Sequence, residues 1–141
     1  MHITGGYLKS RKIESPKGAN VRPTLSQVRE SIFSVLYSIT DFEKKSFLDA
    51  FAGSGIIGFE ALSKKTVFFF VFFFVPPPYQ SGLYDSVLEI VRQCDVLKKD
   101  GIIILEHPSR LEINIDGFEL IKKKIYSDKC ITFLRLSNQH V

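Results

Sequence analysis

The most informative segment of the sequence is Phe47-Leu48-Asp49-Ala50-Phe51-Ala52-Gly53-Ser54-Gly55. A short apolar run ends in an acidic residue and a glycine-rich turn, and the residues that follow, 56–62, have helical character. A strand, a tight turn and a helix in this order bring backbone N–H groups and a helix N-terminus up to a ligand. Gly53 and Gly55 let the backbone approach that ligand at positions where a Cβ atom would collide.

A second motif precedes this loop and combines Arg22-Pro23-Thr24 with Val28-Arg29-Glu30-Ser31-Ile32-Phe33. Thr24 and Gln27 fit a capping box, so a helix is predicted to begin at Thr24. Apolar side chains recur at helical spacing and predict one buried face, made of Leu25, Val28, Ile32, Val35, Leu36 and Ile39. Arg22 and Arg29 are predicted to lie off that face.

Apolar runs predict the later elements. The Phe-rich run 67–75 is apolar on both faces, which is typical of a central parallel strand covered by helices. A helix is predicted from Leu83 to Leu97, ended by Lys98, Lys99 and Gly101. A buried strand over 102–105 ends in Glu106-His107-Pro108, where His107 is either half of an acid/base pair or simply a polar strand end. Strands over 118–126 and 130–136 are predicted to form a hairpin that turns at Ser127-Asp128.

Composition limits the classes of function. The chain has 141 residues, 45% hydrophobic and 24% charged, which predicts one globular domain. The net charge of +4 permits a nucleic-acid partner without requiring one. Two cysteines do not make a metal site, and an apolar run of nine residues (67–75) is too short to span a membrane. A soluble, cytoplasmic monomer without metal is therefore expected.

The N-terminal segment is the most basic part of the chain. Residues 2–13 alternate loosely between apolar and polar side chains, with Gly5-Gly6 as the turn, and predict a small β-hairpin. Lys9, Arg11 and Lys12 lie in it, and two readings remain open: a solvated basic edge, or an arm that holds RNA phosphates.

The glycine loop and the Arg-Pro-Thr helix, in this order, resemble the two signatures of the RsmD-type 16S rRNA (guanine-N2)-methyltransferases, a family of class I S-adenosylmethionine-dependent enzymes. The resemblance implies an α/β fold with a Rossmann-like class I methyltransferase sheet and a small N-terminal β-hairpin. It predicts a single domain over 1–141, with a basic hairpin or arm at 1–20 and an α/β core at 21–141.

The resemblance also implies a function, which is methylation of a guanine N2 amine in 16S rRNA or in the small ribosomal subunit. The residues that would hold S-adenosylmethionine are Asp49, Phe51, Gly53, Ser54 and Gly55, with Asp49 near the methionine end. Pro77, Pro78 and Tyr79 would place the guanine amine. Lys9, Arg11, Lys12, Arg22 and Arg29 would contact RNA.

The sequence departs from the family at two points. Pro76 replaces the acidic residue of the family's Asp-Pro-Pro-Tyr motif, which removes the carboxylate acceptor for the amine. Between Gly55 and Pro76 about 40–50 residues are missing, or about two βα units, judged at about 30 residues or fewer per repeat. The lost part includes the acid that binds the cofactor ribose.

These departures predict weakened activity and an internally deleted or eroded gene, with the deletion at the repetitive stretch 66–78; an error in the sequence itself is the other explanation. Two alternatives to catalysis stay open. The chain is either a non-catalytic RNA-binding remnant, or a non-functional product that folds poorly.

Overall fold

A computed structural model describes residues 1–14, 24–41, 47–49, 54–64, 71–72, 82–95, 97 and 100–137. Contacts group the chain into two compact units, an N-terminal unit of residues 1–69 and a C-terminal unit of residues 70–141. The expectation of a single domain stays a prediction.

The N-terminal unit contains helix α1 (Ser26–Ile39), the two-residue strand β1 (Leu48–Asp49) and helix α2 (Ile56–Ser63). In front of them, residues 1–13 double back on themselves through an antiparallel bridge between His2 and Lys12. The hairpin-like pairing predicted for this segment is therefore confirmed. The N-terminal segment, α1 and α2 all contribute apolar side chains to the core of this unit. These are Ile3, Val28, Ile32, Phe33, Val35, Leu36, Ile56, Ile57 and Ala61.

The start of α1 differs from the prediction. The helix begins at Ser26 with Leu25 as its N-cap, and no side chain makes a capping hydrogen bond. Leu25, expected on the buried face, is 67% exposed. The Thr24 carbonyl instead accepts a hydrogen bond of 2.6 Å from Nη1 of Arg29. An arginine near the start of α1 thus holds the residues that lead into the helix.

That arginine belongs to a buried network centred on Glu60 of α2. Glu60 is 0% exposed, and its Oε1 accepts hydrogen bonds from the Thr4 N–H (2.7 Å), the Thr4 hydroxyl (2.9 Å) and Nε of Arg29 (3.3 Å). Its Oε2 pairs with Nζ of Lys64 at 2.8 Å. One carboxylate thus joins α1, α2 and the N-terminal segment, and a charge buried this deeply is tolerated because it is paired on both oxygens.

The pKa of Glu60 reflects this balance. Burial acts to raise it, but the hydrogen bonds from Lys64 and Thr4 outweigh burial and lower the pKa below its ordinary value of 4.5. A carboxyl group whose pKa is lower in the folded state contributes its full stabilisation at pH values above its ordinary pKa. That stabilisation is lost as the pH falls through the lowered pKa.

The C-terminal unit contains strand β2 (Val71–Phe72), helix α3 (Leu83–Gln93) and strands β3 (Ile102–Pro108), β4 (Phe118–Tyr126) and β5 (Lys129–Leu136). The last three form an antiparallel sheet in the order β3-β5-β4. The predicted hairpin over 118–136 and its turn at Ser127-Asp128 are confirmed, with Ser127 at φ +57°. Ile121 is an extra residue in β4, because the pairing shifts between Leu120 and Lys122.

Helix α3 ends earlier than the sequence predicts. Its last residue is Gln93, with Cys94 as C-cap, so the predicted end at Lys98, Lys99 and Gly101 is wrong. Leu97 is nevertheless buried, as are Tyr84, Val87, Leu88 and Val91. The apolar pattern therefore identified Val87, Leu88, Val91 and Leu97 correctly as buried, but it missed Tyr84. It also overstated the length of the helix, because a buried residue that follows the helix fits the same spacing.

The buried Glu60 network predicts a large effect of one isosteric substitution. Glu60→Gln keeps the volume and removes the charge, which leaves the Arg29 guanidinium and Lys64 ammonium without their counter-ion. We expect the free energy of unfolding at pH 7, measured by urea denaturation, to fall by about 3 kcal/mol.

The matched control is Glu89→Gln, which removes a carboxylate that is 53% exposed and pairs with Arg92 at 2.8 Å. Its effect should stay within about 0.5 kcal/mol, as for other surface pairs. Equal effects of the two substitutions would contradict the role given to Glu60. The loss in Glu60→Gln should also shrink below pH 4.5, where the wild-type carboxyl begins to lose its advantage.

Candidate cofactor and RNA-contact sites

Asp49 lies at the end of β1 with its carboxylate against helix α2. Oδ2 accepts a long hydrogen bond of 3.3 Å from the Gly58 N–H. Oδ1 is buried and accepts no hydrogen bond within the part of the chain that the structure describes. A buried carboxylate with one unsatisfied oxygen is costly unless a cation or a donor pairs with it.

The pKa of Asp49 shows this cost. Burial raises it from 3.8 to about 6, and the Gly58 N–H offsets only part of the rise. Near neutral pH this carboxyl group is ionised, and no counter-charge faces it from the residues that the structure describes. An ammonium group is the chemical partner that would best complete such a site.

Ser54 and Gly55, the described end of the glycine-rich stretch, lead directly into α2. Gly55 adopts a left-handed conformation (φ +73°) and is the N-cap of α2. The Ser54 hydroxyl accepts a weak hydrogen bond of 3.4 Å from the Ile56 N–H. Asp49, Ser54 and Gly55 therefore lie around the start of one helix, and their role in holding a cofactor stays a prediction.

The other predicted cofactor residues, Phe51 and Gly53, lie outside the described residues. The same is true of Pro77, Pro78 and Tyr79, which were predicted to place the substrate amine, and of Arg22. Their assigned roles stay predictions.

The N-terminal segment is fixed to the end of α2 by one serine. Ser63 accepts hydrogen bonds from the N–H groups of Tyr7 (carbonyl, 2.9 Å) and Leu8 (hydroxyl, 2.9 Å). Its hydroxyl also donates to the Gly5 carbonyl at 2.6 Å. A Cβ atom on Gly6, which has φ +82°, would overlap the Ser63 carbonyl, so only glycine allows this close approach.

This attachment presents three cations to solvent. Lys9, Arg11 and Lys12 are all exposed, and the backbone beside them is held by hydrogen bonds from the Ile3 N–H to the Arg11 carbonyl (3.0 Å) and from the Ser10 N–H to the Ile3 carbonyl (2.8 Å). A basic surface on a fixed backbone suits an RNA phosphate chain.

Arg29 does not belong to that surface, and the prediction that it lies off the buried face is wrong. Its side chain is 2% exposed. Besides Glu60 and Thr24, its guanidinium donates to the His2 carbonyl at 2.8 Å and to the Ser26 hydroxyl at 3.3 Å. The guanidinium is occupied by protein acceptors, so we remove Arg29 from the RNA-contact residues.

Sequence reasoning missed Glu60 and Ser63, the two α2 residues that hold the basic N-terminal segment in place. The available signal was a single acid within the otherwise apolar start of α2, which is a position where an unpaired charge would be unfavourable.

The described residues contain no group of three or more His, Cys, Asp or Glu side chains that could hold a metal ion. Within the same ranges, no helix is long and apolar enough to cross a membrane. Cys94, an exposed residue, and Cys130, a buried one, are free thiols.

The fold is that of a methyltransferase. A putative methyltransferase from Escherichia coli (yhhF) superimposes with a TM-score of 0.82 at 20% identity, over 99% of each chain. A putative methylase from Haemophilus influenzae gives a TM-score of 0.67 at 20% identity, over 94% of this chain and 96% of that one. The predicted fold class, a truncated class I methyltransferase fold, is confirmed.

The chain belongs to the RsmD-type methyltransferase family, whose model is described as "Conserved hypothetical protein 95" and matches residues 1–72 and 65–135. The "Ribosomal RNA small subunit methyltransferase D" of Buchnera aphidicola is 41% identical over 68 residues, which are 48% of this chain and 35% of that protein. The "Putative rRNA methyltransferase YlbH" of Bacillus subtilis is 30% identical over 123 residues, 85% of this chain and 65% of that protein.

The chain thus spans about a third to two thirds of the length of these relatives. The two family matches overlap at residues 65–72, at the start of the repetitive stretch 66–78 where the sequence predicts the deletion. Two separate matches that meet there are consistent with the loss of an internal segment.

The raised pKa of Asp49 predicts how stability changes with pH. Because the folded state binds a proton at this carboxyl more readily than the unfolded chain, the wild type is penalised above about pH 6, and the penalty disappears as the pH falls toward 3.8. Asp49→Asn removes this titration. We expect the stability difference between Asp49→Asn and wild type to move in favour of the wild type by on the order of 2 kcal/mol between pH 8 and pH 4, measured by urea denaturation.

The control is Ser54→Ala, which alters the same turn without removing a titratable group. Its difference from wild type should not vary with pH. A pH-independent difference for Asp49→Asn as well would contradict a penalised carboxylate at this position.

Proposed function

We propose that this chain contacts 16S rRNA and retains a much reduced S-adenosylmethionine-dependent methylation of a guanine N2 amine. The observation that carries the proposal is the buried, half-satisfied carboxylate of Asp49 in front of a glycine turn. The names of the relatives, which refer to methylation of the small-subunit ribosomal RNA, support the choice of substrate.

The residues present fit the methionine end of the cofactor. Asp49 offers a carboxylate oxygen to an α-amino group, and the backbone at Ser54 and Gly55 leaves room for close approach. When bound, S-adenosylmethionine supplies a methyl group on a positively charged sulfonium. The chain therefore needs to hold and orient the two reactants rather than activate the donor.

The substrate end is proposed from the family motif. The Pro77 carbonyl accepts a hydrogen bond from the guanine amine, Pro78 shapes the loop, and the Tyr79 ring stacks on a base that has left its helix. Pro76 supplies no acceptor where the family has a carboxylate. Because one preorganised electrostatic partner is missing, the rate falls by orders of magnitude.

A second candidate function is RNA binding without catalysis. It is favoured by Lys9, Arg11 and Lys12, which are exposed and whose attachment to α2 uses only residues of the first family match. None of these contacts needs the missing segment. The proposed RNA substrate places the protein in the cytoplasm under either function.

Calorimetry and a methyl-transfer assay separate the two functions. We expect S-adenosylmethionine to bind the purified protein in the micromolar to submillimolar range. Transfer of labelled methyl groups to 16S rRNA or small subunits should be slow, and Pro76→Asp, which restores the acceptor, should raise the rate at least about tenfold.

Pro76→Ala is the matched control, because it removes the proline without adding an acid, and it should leave the rate unchanged. If a folded protein binds no cofactor at millimolar concentration, the methylation proposal is refuted and RNA binding alone remains.

The basic N-terminal surface predicts salt-dependent RNA binding. Replacing Lys9, Arg11 and Lys12 by Gln should weaken binding to single-stranded 16S fragments. It should also lower the slope of log K against log salt concentration by about 2, as three lost phosphate contacts require. An unchanged slope in a folded variant would exclude this surface.

Two glycine variants test whether the attachment matters as well as the charge. Gly6→Ala should weaken RNA binding, because the added Cβ overlaps the Ser63 carbonyl and displaces the segment. Gly5→Ala is the matched control, since its Cβ meets only the end of the Lys64 side chain at 3.1 Å, which can move. Equal binding by both variants would show that the attachment has no role.

A further inference from the structure

The C-terminal unit contains a cavity that no predicted cofactor, catalytic or RNA-contact residue lines. It lies between the loop after β3 and the strands β4 and β5, and its volume is about 440 Å³. Ligand pockets in proteins have volumes of roughly 300–1,000 Å³, so a nucleotide can be accommodated.

The floor of this cavity is polar. His107 and Thr132 are 2% and 5% exposed, and Nε2 of His107 lies 2.7 Å from the Thr132 hydroxyl. Nδ1 lies 2.9 Å from the Pro108 carbonyl, which can only accept, and burial lowers the pKa of His107 and favours the neutral ring. In the neutral imidazole Nε2 is then the acceptor and the Thr132 hydroxyl the donor. The Tyr84 ring meets the imidazole edge-on at 6.1 Å. The neutral tautomer of His107 is thereby fixed.

Two cations lie at the mouth. Lys123 is directly opposite Thr132 in the β4–β5 register, and its charge acts on His107. Arg110, in the loop after β3, is exposed and lines the same cavity. Glu112 also lines it, so two cations face one carboxylate among the described lining residues. The balance favours an anion.

The remaining wall is apolar. Ile113 and Ile115 line it from the loop, and Leu120 from β4, where it is 47% exposed. Cations beside an apolar wall match a molecule that has a phosphate at one end and a flat ring at the other. A free inorganic phosphate would leave the apolar wall in contact with water.

We propose that this cavity binds a nucleoside monophosphate unit, either free or as part of single-stranded RNA, with its phosphate on Lys123 and Arg110 and its base against Ile113 and Ile115. The site goes beyond the proposed methyl transfer and does not depend on it. None of its residues takes part in that proposal.

Histidine NMR of the full chain tests the site directly, because the protein has only 3 histidines. Adenosine 5′-monophosphate should shift the His107 Cε1–H signal saturably, and more strongly at a given concentration than inorganic phosphate. The signals of His2 and His140 serve as internal references. No saturable shift of His107 at tens of millimolar nucleotide would overturn the proposal.

Two neighbouring lysines provide a matched pair of variants. Lys123→Gln should weaken nucleotide binding at least about tenfold, as the loss of a charge-assisted contact requires. Lys122→Gln makes the same change in net charge on the opposite face of β4 and should alter the affinity less than about twofold. Equal effects would show a diffuse attraction and overturn the site. A circular dichroism spectrum and a urea midpoint close to those of the wild type, measured for each free variant, confirm that the sheet is intact.

A short RNA strand distinguishes the two sources of the ligand. If the oligonucleotide shifts His107 and competes with the mononucleotide, the site binds RNA. If only the mononucleotide shifts it, the ligand is a free nucleotide. Both results support the proposal, and neither depends on whether the protein methylates RNA.

Discussion

The N-terminal unit depends on one buried carboxylate. Glu60 collects Arg29, Lys64 and Thr4, and through them it joins two helices and the N-terminal segment. A buried ion pair of this kind contributes little net stability compared with apolar packing, because desolvation offsets most of the attraction. The ion pair instead favours one arrangement of the helices and the N-terminal segment over others, because any arrangement that separates these partners leaves a buried charge without compensation. We infer that this constraint fixes the segment that carries the exposed cations.

Asp49 shows the opposite balance. Its carboxylate is also buried, but among the described residues only one weak backbone hydrogen bond offsets the burial, and its pKa rises to about 6. Two acids of one unit thus differ in role because their partners differ. Glu60 is satisfied by the protein itself and acts in the fold, whereas Asp49 is left incomplete, as groups that bind ligands often are.

The C-terminal unit also contains a buried carboxylate with a cationic partner, and the two residues lie in β3 and β5 of its antiparallel sheet. Glu106 is 1% exposed and pairs with Lys129 at 2.8 Å, and the Tyr84 hydroxyl donates to the Glu106 carbonyl at 2.8 Å. His107, the next residue of β3, has a separate partner, since its Nε2 lies 2.7 Å from the Thr132 hydroxyl. The sequence left open whether Glu106-His107 is an acid/base pair or a polar strand end. Each side chain has its own structural partner, so the polar strand end is the better description, and the cavity beside His107 became visible only in the folded unit.

The family, the order of the main elements and the C-terminal hairpin could all be predicted from the sequence. These depend on local signals: two motifs, apolar spacing, and a Ser-Asp turn between two strands whose pairing the short loop enforces. The burial of Arg29 and the start of α1 without a side-chain cap could be seen only in the folded chain. Periodicity assigns a charged residue to the surface because a lone charge is costly in the interior. Only the fold brings Glu60, 31 positions away, within 3.3 Å of Arg29 and removes that cost.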